Sequence, residues 1–165
     1  SALGSLLSQG IGDTIRISYA SDPVFEVEDG VELLNCLDLR KRIGAELIAC
    51  PSCGRIQVDL FKLVDDVRKQ LENDIDVPIK VAVMGCVVNG PGEAEGADVA
   101  VFAGDRRGII YVQGERVANV TEDEILDRLL TECKALQERV RSGETKLGEK
   151  AVTIIAPITV EGNAT

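Results

Sequence analysis

The sequence predicts an α/β fold in which a small sheet is layered with helices. Short apolar segments rich in β-branched residues, such as 45–49 and 78–85, alternate with segments of helical periodicity, such as 59–73. Hydrophobic residues make up 45% of the 165-residue chain, which is enough for a packed core. Strands joined by helices are typical of α/β layer architectures.

The first segments predict one strand and one helix. Residues 13–18 (DTIRIS) alternate and are β-branched, which indicates a strand. Residues 26–42 carry apolar side chains at helical spacing, and Gly44 follows a basic last turn, as at many helix ends. We expect this unit to be covered from elsewhere, because one strand and one helix cannot bury both of their faces.

The next segments predict a strand, a helix and a second strand. Residues 45–49 form a short strand that runs directly into the turn Cys50-Pro51-Ser52-Cys53. Residues 59–73 form an amphipathic helix, and residues 78–85 form a strand apolar enough to be central in the sheet.

The last segments predict a hairpin and a long helix. Residues 97–104 and 108–120 are further strands, and Gln113-Gly114 marks a hairpin turn. Thr121 caps the following helix, and Glu124 completes a capping box. The tail, 142–165, has strand propensity interrupted by Gly, Pro and Asn, so we expect it to be loose.

Charge and composition exclude several classes of protein. The net charge is −10 and aromatic residues are only 3%, so we expect no nucleic-acid surface. No apolar run reaches membrane-spanning length, so we expect no membrane partner. The chain has no histidine, which excludes a Ser-His-Asp site or His-ligated zinc within it. Five cysteines, two of them in a CxxC motif, favour metal, cluster or redox chemistry in the cytoplasm over structural disulfides.

Three cysteines and one glutamate predict a metal centre at one edge of the sheet. Cys50 and Cys53 follow one predicted strand, and Cys86 follows the next. If the strands are parallel, both turns lie at the carboxyl edge, where ligand sites of open α/β sheets gather. A four-iron cluster needs a fourth ligand, and Glu93 follows Cys86 through the Gly-rich turn Asn89-Gly90-Pro91-Gly92. A carboxylate would give such a cluster one exchangeable corner.

Other interpretations of the same residues stay open at this point. A CxxC motif is often a redox dithiol or half of a zinc site, and a four-Cys zinc site would also need Cys36 or Cys133. Both of these fall inside predicted helices, where we expect a thiol to act as a small core hydrophobe. The alternatives are a small iron–sulfur electron-transfer module, which usually has four thiolates, and a zinc-stapled structural module.

Long motifs around these cysteines resemble one enzyme family. The strings ACPSCGRIQVDLFKL (49–63) and VAVMGCVVNGPGEA (81–94) strongly resemble the bacterial (E)-4-hydroxy-3-methylbut-2-enyl diphosphate synthases of the non-mevalonate isoprenoid pathway. The string LLSQGIGDTIRISYASDP (6–23) resembles the end of that family's catalytic barrel. The resemblance runs from about Leu3 to about Val140.

The resemblance implies an iron–sulfur reductase. The family has an N-terminal TIM-type barrel and a C-terminal α/β domain whose 4Fe-4S cluster is held by three cysteines and one glutamate, which correspond here to Cys50, Cys53, Cys86 and Glu93. Glu93 would also be the catalytic residue. The reaction implied is the reductive opening of 2-C-methyl-D-erythritol 2,4-cyclodiphosphate, with electrons from flavodoxin or ferredoxin, in a homodimer.

The resemblance also implies a division of the chain. Residues 1–43 would be the last strand–helix unit of the TIM-type barrel, 44–141 the cluster domain, and 142–165 a tail. A chain of this length cannot hold a whole barrel, so we expect it to be inactive alone.

Four residues are candidates for substrate binding. They are Arg16, Ser18, Arg55 and Asn89. Arginine matches phosphate geometry, although Arg16 would equally suit a solvent-facing strand position. Arg55 and Asn89 could instead tune the cluster or shape its turn. Arg106 and Arg107 are interpreted as an exposed pair in a hairpin loop.

Overall fold

The computed structural model describes residues 2–148, and the chain divides into two compact units between Arg42 and Ile43. Within the described residues, no helix is both long enough and apolar enough to span a membrane.

The first unit contains two helices, α1 (Ala2–Leu7) and α2 (Pro23–Cys36). Helix α2 begins at proline because Asp22 precedes it as a cap, and the Asp22 carboxylate accepts a hydrogen bond from the backbone N–H of Val24 (3.0 Å). The segment before α2 packs against Gly30, since a Cβ there would lie 3.7 Å from Ile15 and 3.8 Å from Ile17.

Two predictions for this unit are wrong. Residues 13–18 form no strand but a bend followed by irregular chain, because β-strands need a neighbouring strand to pair their backbone and these residues find none within 2–148. The helix predicted at 26–42 begins at Pro23 and ends at Cys36. Asp38 follows with a φ of 54°, and Gly44, with a φ of 80°, lies in the loop before the next strand rather than at a helix end. Helix α1 was not predicted.

The second unit is built on a mixed five-stranded sheet, which confirms the predicted α/β class. Its strands are β1 (Glu46–Ala49), β2 (Lys80–Met84), β3 (Val99–Gly104), β4 (Arg107–Val112) and β5 (Glu115–Thr121), in the order β1-β2-β3-β4-β5. The first three strands are parallel, and β3, β4 and β5 form an antiparallel meander. The prediction that 78–85 is an interior strand is confirmed by the place of β2.

Three helices accompany this sheet: α3 (Leu60–Asp74), α4 (Gly90–Glu93) and α5 (Ile125–Arg141). A 3-10 turn over Glu122–Glu124 precedes α5, and the predicted capping box of Thr121 and Glu124 is present. Gln113 and Gly114 both have positive φ (48° and 81°), as the predicted two-residue hairpin requires.

The apolar side chains of the sheet fall on two faces, as the two-residue period of a strand dictates. Val81, Val83, Val99 and Val101 face a core shared with α3 and α5. On the opposite face a smaller core contains Ala82, Met84, Ala100 and Phe102, together with Ala94 and Ala97 from the segment around α4. The sheet is therefore covered by two long helices on one face and by the α4 segment on the other.

Part of the predicted tail belongs to this unit. Gln113 donates a hydrogen bond from Nε2 to the hydroxyl of Thr145 (3.0 Å), and the N–H of Gly148 donates to the buried carboxylate of Asp98 (2.9 Å). The rest of the predicted tail, 149–165, lies outside the described residues.

Candidate metal centre

Cys50 and Cys86 lie at the same edge of the sheet. Strands β1 and β2 are parallel, with Ala49 opposite Val83, so the chain leaves both strands at the carboxyl edge. The backbone N–H of Gly85 donates a hydrogen bond to Sγ of Cys50 (3.4 Å), which ties the two turns together directly. The predicted meeting of these turns is confirmed.

Cys86 is buried, with 8% of its surface exposed, and its thiol is surrounded by donors. Burial alone would raise the pKa of the Cys86 thiol, and the nearby Glu93 carboxylate would raise it too. The backbone N–H groups of Asn89, Val88 and Gly90 lie near the sulfur and outweigh both effects, so the pKa is lowered from its usual value. The loop after β2 therefore makes this thiol easier to ionise than its burial alone would allow.

Glu93 is the last residue of the short helix α4. The segment before it is therefore helical and not the flexible turn that its glycines predict. Pro91 stands in its first turn, where the absence of an N–H costs nothing. Gly90 is packed so closely that a Cβ would lie 2.7 Å from the Phe102 ring and 2.9 Å from Cβ of Met84. Only glycine fits there, and the contact fixes the start of α4 against the sheet. The exposed Glu93 side chain is consequently held near Cys86.

The loop after Cys50 is exposed and is anchored at its far end. Cys53 is exposed within it. Oε1 of Gln57 accepts a hydrogen bond from the N–H of Asp105 (2.7 Å), in the turn between β3 and β4, and Asp59 caps α3 by accepting from the N–H of Lys62 (3.1 Å). The sequence does not predict this anchoring role of Gln57, because a single glutamine in a loop gives no indication of a partner far away in the chain.

The predicted substrate contacts fall into two groups. Arg55 and Asn89 are exposed in the loops after β1 and β2, on either side of the cysteines, and the Asn89 side chain makes no capping hydrogen bond. Arg16 and Ser18 are exposed in the first unit, where Nε of Arg16 donates to Oγ of Ser18 (3.1 Å).

The two remaining cysteines lie away from this edge. Cys133 is fully buried in α5, as predicted for a core thiol, and burial raises its pKa to about 12. The expectation that Cys36 is a core residue is wrong. It is exposed at the last position of α2, because that helix ends earlier than its sequence pattern predicts.

The donor set at the carboxyl edge fits an iron–sulfur cluster in its chemistry. It offers three thiols and one carboxylate, and N–H groups already point at two of the sulfurs, as they do at cluster thiolates. In the arrangement described for 2–148, no three Cys, Asp or Glu side chains lie close enough together to hold a single metal ion. Binding would therefore require the exposed 51–55 loop or the Glu93 side chain to adjust, and neither is buried.

The known family that matches this region is the GcpE protein C-terminal domain, over residues 46–135. The match starts at β1 and ends within α5, so it includes the whole sheet and every residue of the candidate metal centre.

Several curated proteins are similar over most of the chain. A Streptomyces coelicolor protein named 4-hydroxy-3-methylbut-2-en-1-yl diphosphate synthase (flavodoxin) 2 is 48% identical over 93% of this chain. Enzymes named 4-hydroxy-3-methylbut-2-en-1-yl diphosphate synthase (flavodoxin) from Symbiobacterium thermophilum and Corynebacterium diphtheriae are each 52% identical, over 88% and 83% of it. The chain spans 39%, 39% and 34% of the lengths of these three relatives. With its whole sheet and its cysteine loops inside the matched region, the chain belongs to the GcpE protein C-terminal domain family.

Proposed function

We propose that this chain is the iron–sulfur part of a reductive synthase that converts 2-C-methyl-D-erythritol 2,4-cyclodiphosphate to 4-hydroxy-3-methylbut-2-enyl diphosphate. The reaction takes up two electrons and two protons and releases one water. The observation that carries the proposal is the placement of Cys50 and Cys86 at one sheet edge, tied by the Gly85 N–H, in a chain about 50% identical to enzymes of that name. The five cysteines form no disulfide among the described residues, which suits a reducing cytoplasm.

The proposed cluster ligands are Cys50, Cys53, Cys86 and Glu93. A 4Fe-4S cluster would supply one-electron chemistry and a Lewis-acidic iron at this edge. The chain's own contribution is to lower the pKa of the Cys86 thiol through three nearby backbone N–H groups and to present a carboxylate from α4 beside it. A carboxylate binds iron less firmly than a thiolate, so Glu93 is the ligand that a substrate oxygen would displace.

The remaining roles are substrate binding, electron supply and assembly. We assign Arg55 and Asn89 to the diphosphate side of the substrate, since both are exposed beside the cysteines. Arg16 and Ser18 stay candidates for substrate binding within residues 1–43, which we interpret as the C-terminal remnant of a TIM-type barrel. We infer a flavodoxin as electron donor, as in the names of the relatives, with a ferredoxin as the alternative. A homodimer of the full-length enzyme is part of the same proposal.

Metal analysis of anaerobically purified protein tests the cluster. We expect about four iron and four sulfide per chain after reconstitution, as a 4Fe-4S cluster requires. One zinc per chain with neither iron nor sulfide would contradict the proposal and would favour a zinc-stapled structural module.

The substitution Glu93→Cys separates an enzyme from an electron carrier. In the full-length enzyme we expect the cluster to assemble with four thiolates while turnover is lost, because the exchangeable corner is closed. Turnover equal to that of the wild type would mean that Glu93 is not the displaced ligand.

A further inference from the structure

Two arginines lie at the turn between β3 and β4, at the carboxyl edge of the sheet. They are Arg106, in the turn, and Arg107, at the start of β4. Both are exposed, and among residues 2–148 their side chains make no hydrogen bond or ion pair. Acidic residues lie close by, since Asp105 precedes Arg106 and the N–H of Glu122 donates to the Arg106 carbonyl oxygen (3.0 Å), but no carboxylate pairs with either guanidinium within the described residues.

The β3–β4 turn contacts both cysteine loops. Oε1 of Gln57, in the loop that follows Cys50, accepts the Asp105 N–H at 2.7 Å. A Cβ on Gly104 would lie 3.0 Å from that same oxygen and 3.8 Å from Cγ1 of Val87, the residue after Cys86. The turn is therefore held beside the candidate metal centre on two sides, and its arginines belong to the same surface.

Two large apolar side chains in the elements that follow β1 and β2 are also exposed. Val88, two residues after Cys86, is 68% exposed, and Phe61, in the first turn of α3, is 72% exposed. Exposed apolar groups surrounded by charged residues are typical of protein interaction sites. We call the four residues Phe61, Val88, Arg106 and Arg107 the arginine edge.

We propose that the arginine edge is the docking surface for an acidic, flavin-carrying electron donor. This inference rests on the proposed function, because it places the donor beside the proposed cluster, and the relatives' names give flavodoxin as their partner. Weak redox encounters are small and are steered by opposite charges, which unpaired arginines provide. Solvent-exposed side chains on a turn do not enclose a small ligand, so a protein surface suits them better than the substrate diphosphate does.

The test measures binding of purified bacterial flavodoxin to the 165-residue chain, by fluorescence anisotropy of labelled flavodoxin. The variants are Arg106→Glu and Arg107→Glu, and the control is Arg116→Glu, an exposed charge reversal near the other end of the sheet, opposite Tyr111. We expect Kd to rise roughly tenfold for each of the two variants and less than twofold for the control, as charge reversal at an electrostatic interface does. High salt should weaken wild-type binding by a similar factor.

The other outcomes overturn the inference. Equal weakening by Arg116→Glu would show a general charge effect, and no weakening by Arg106→Glu or Arg107→Glu would place the donor elsewhere. Binding of the cyclodiphosphate and of inorganic diphosphate is measured in parallel, and a loss of those ligands in the Arg106→Glu and Arg107→Glu variants would assign the arginines to substrate. Circular dichroism confirms folding of each variant. Iron content is assayed separately, so that failure of the cluster and failure of the docking surface are distinguished.

Discussion

At the scale of single residues, the sulfurs at the carboxyl edge differ from the other thiols in their surroundings. Cys50 accepts the N–H of Gly85, and Cys86 is surrounded by three N–H groups that lower its pKa against the effect of burial. Cys133 has apolar surroundings that raise its pKa to about 12, so it stays a protonated core thiol. The chemical difference among these cysteines comes from backbone donors, because thiolates are stabilised by N–H groups and destabilised by burial.

We expect Cys50→Ser, Cys53→Ser and Cys86→Ser each to abolish cluster assembly, since a serine oxygen is a far poorer iron ligand than a thiolate. Cys36→Ser is the matched control, because Cys36 is exposed and lies outside the carboxyl edge. Cys133→Ser should also keep the cluster, although a hydroxyl in the buried core lowers stability by about 1–3 kcal/mol. The measurement is iron and sulfide per chain after anaerobic reconstitution. Wild-type iron in Cys86→Ser would remove Cys86 from the ligand set.

Glu124 makes the stability of the chain depend on pH. The Thr121 hydroxyl and then the Thr121 N–H bind its carboxylate and lower its pKa from the usual 4.5. A lowered folded-state pKa stabilises the fold above 4.5, and this contribution is lost as the pH falls from 4.5 through the lower folded-state value. We measure the unfolding free energy in urea as a function of pH. We expect Glu124→Gln to reduce the loss of this free energy below pH 4.5. Glu122→Gln removes the same charge in the same turn and should leave that loss unchanged. Identical profiles for both variants would contradict the role of the cap.

At the scale of secondary-structure elements, helix α4 connects the fold to the site. Its start is fixed by the contact of Gly90 with Phe102 and Met84, and its end presents Glu93. The smaller core on that face of the sheet therefore decides where the carboxylate of Glu93, a proposed ligand, lies. The Gln57–Asp105 hydrogen bond positions the loop after Cys50, because it joins that loop to the β3–β4 turn.

Two glycine substitutions in α4 test this connection. Gly90→Ala places a Cβ 2.7 Å from the Phe102 ring, so we expect a loss of about 1–3 kcal/mol in unfolding free energy and weaker cluster retention as α4 moves. Gly92→Ala is the control, since no atom lies within 4 Å of its added Cβ, and its stability should change by less than about 0.5 kcal/mol. Urea unfolding and iron content are measured for both. Equal effects of the two substitutions would argue against an anchoring role for Gly90.

At the scale of the whole molecule, the chain holds the complete proposed ligand set within 39% of the length of its relatives. Positioning of substrate and neutralisation of its charge can supply a large share of a rate enhancement, and we expect most residues that would do this to lie in the part of the relatives that this chain does not cover.

We expect the reconstituted 165-residue chain to bind a cluster and yet convert no cyclodiphosphate when dithionite supplies the electrons. A full-length relative assayed under the same anaerobic conditions is the positive control. Turnover of the chain within tenfold of that control would show that the remaining length is dispensable.

The sequence by itself determined the local elements and the residues of the proposed site. Short apolar runs defined β1, β2 and β3 and helical periods defined α3 and α5, each to within a few residues, because such runs and periods follow from burial in the core. Gln113-Gly114 and the Thr121–Glu124 capping box were equally predictable, since turns and caps depend on residues that are close in the chain. Cysteine spacing and the assumption of parallel strands were enough to place Cys50 and Cys86 at one edge.

Only the tertiary structure decided what depends on distant neighbours. Residues 13–18 have strand propensity but no strand to pair with within 2–148, and α2 ends at Cys36 and leaves its thiol exposed. The Gly-rich turn became a helix because Gly90 packs against Phe102 in β3, and Gln57 gained its role from Asp105 across the fold. Such contacts join residues far apart in the chain, and no local pattern encodes them because propensity acts only over a few neighbours.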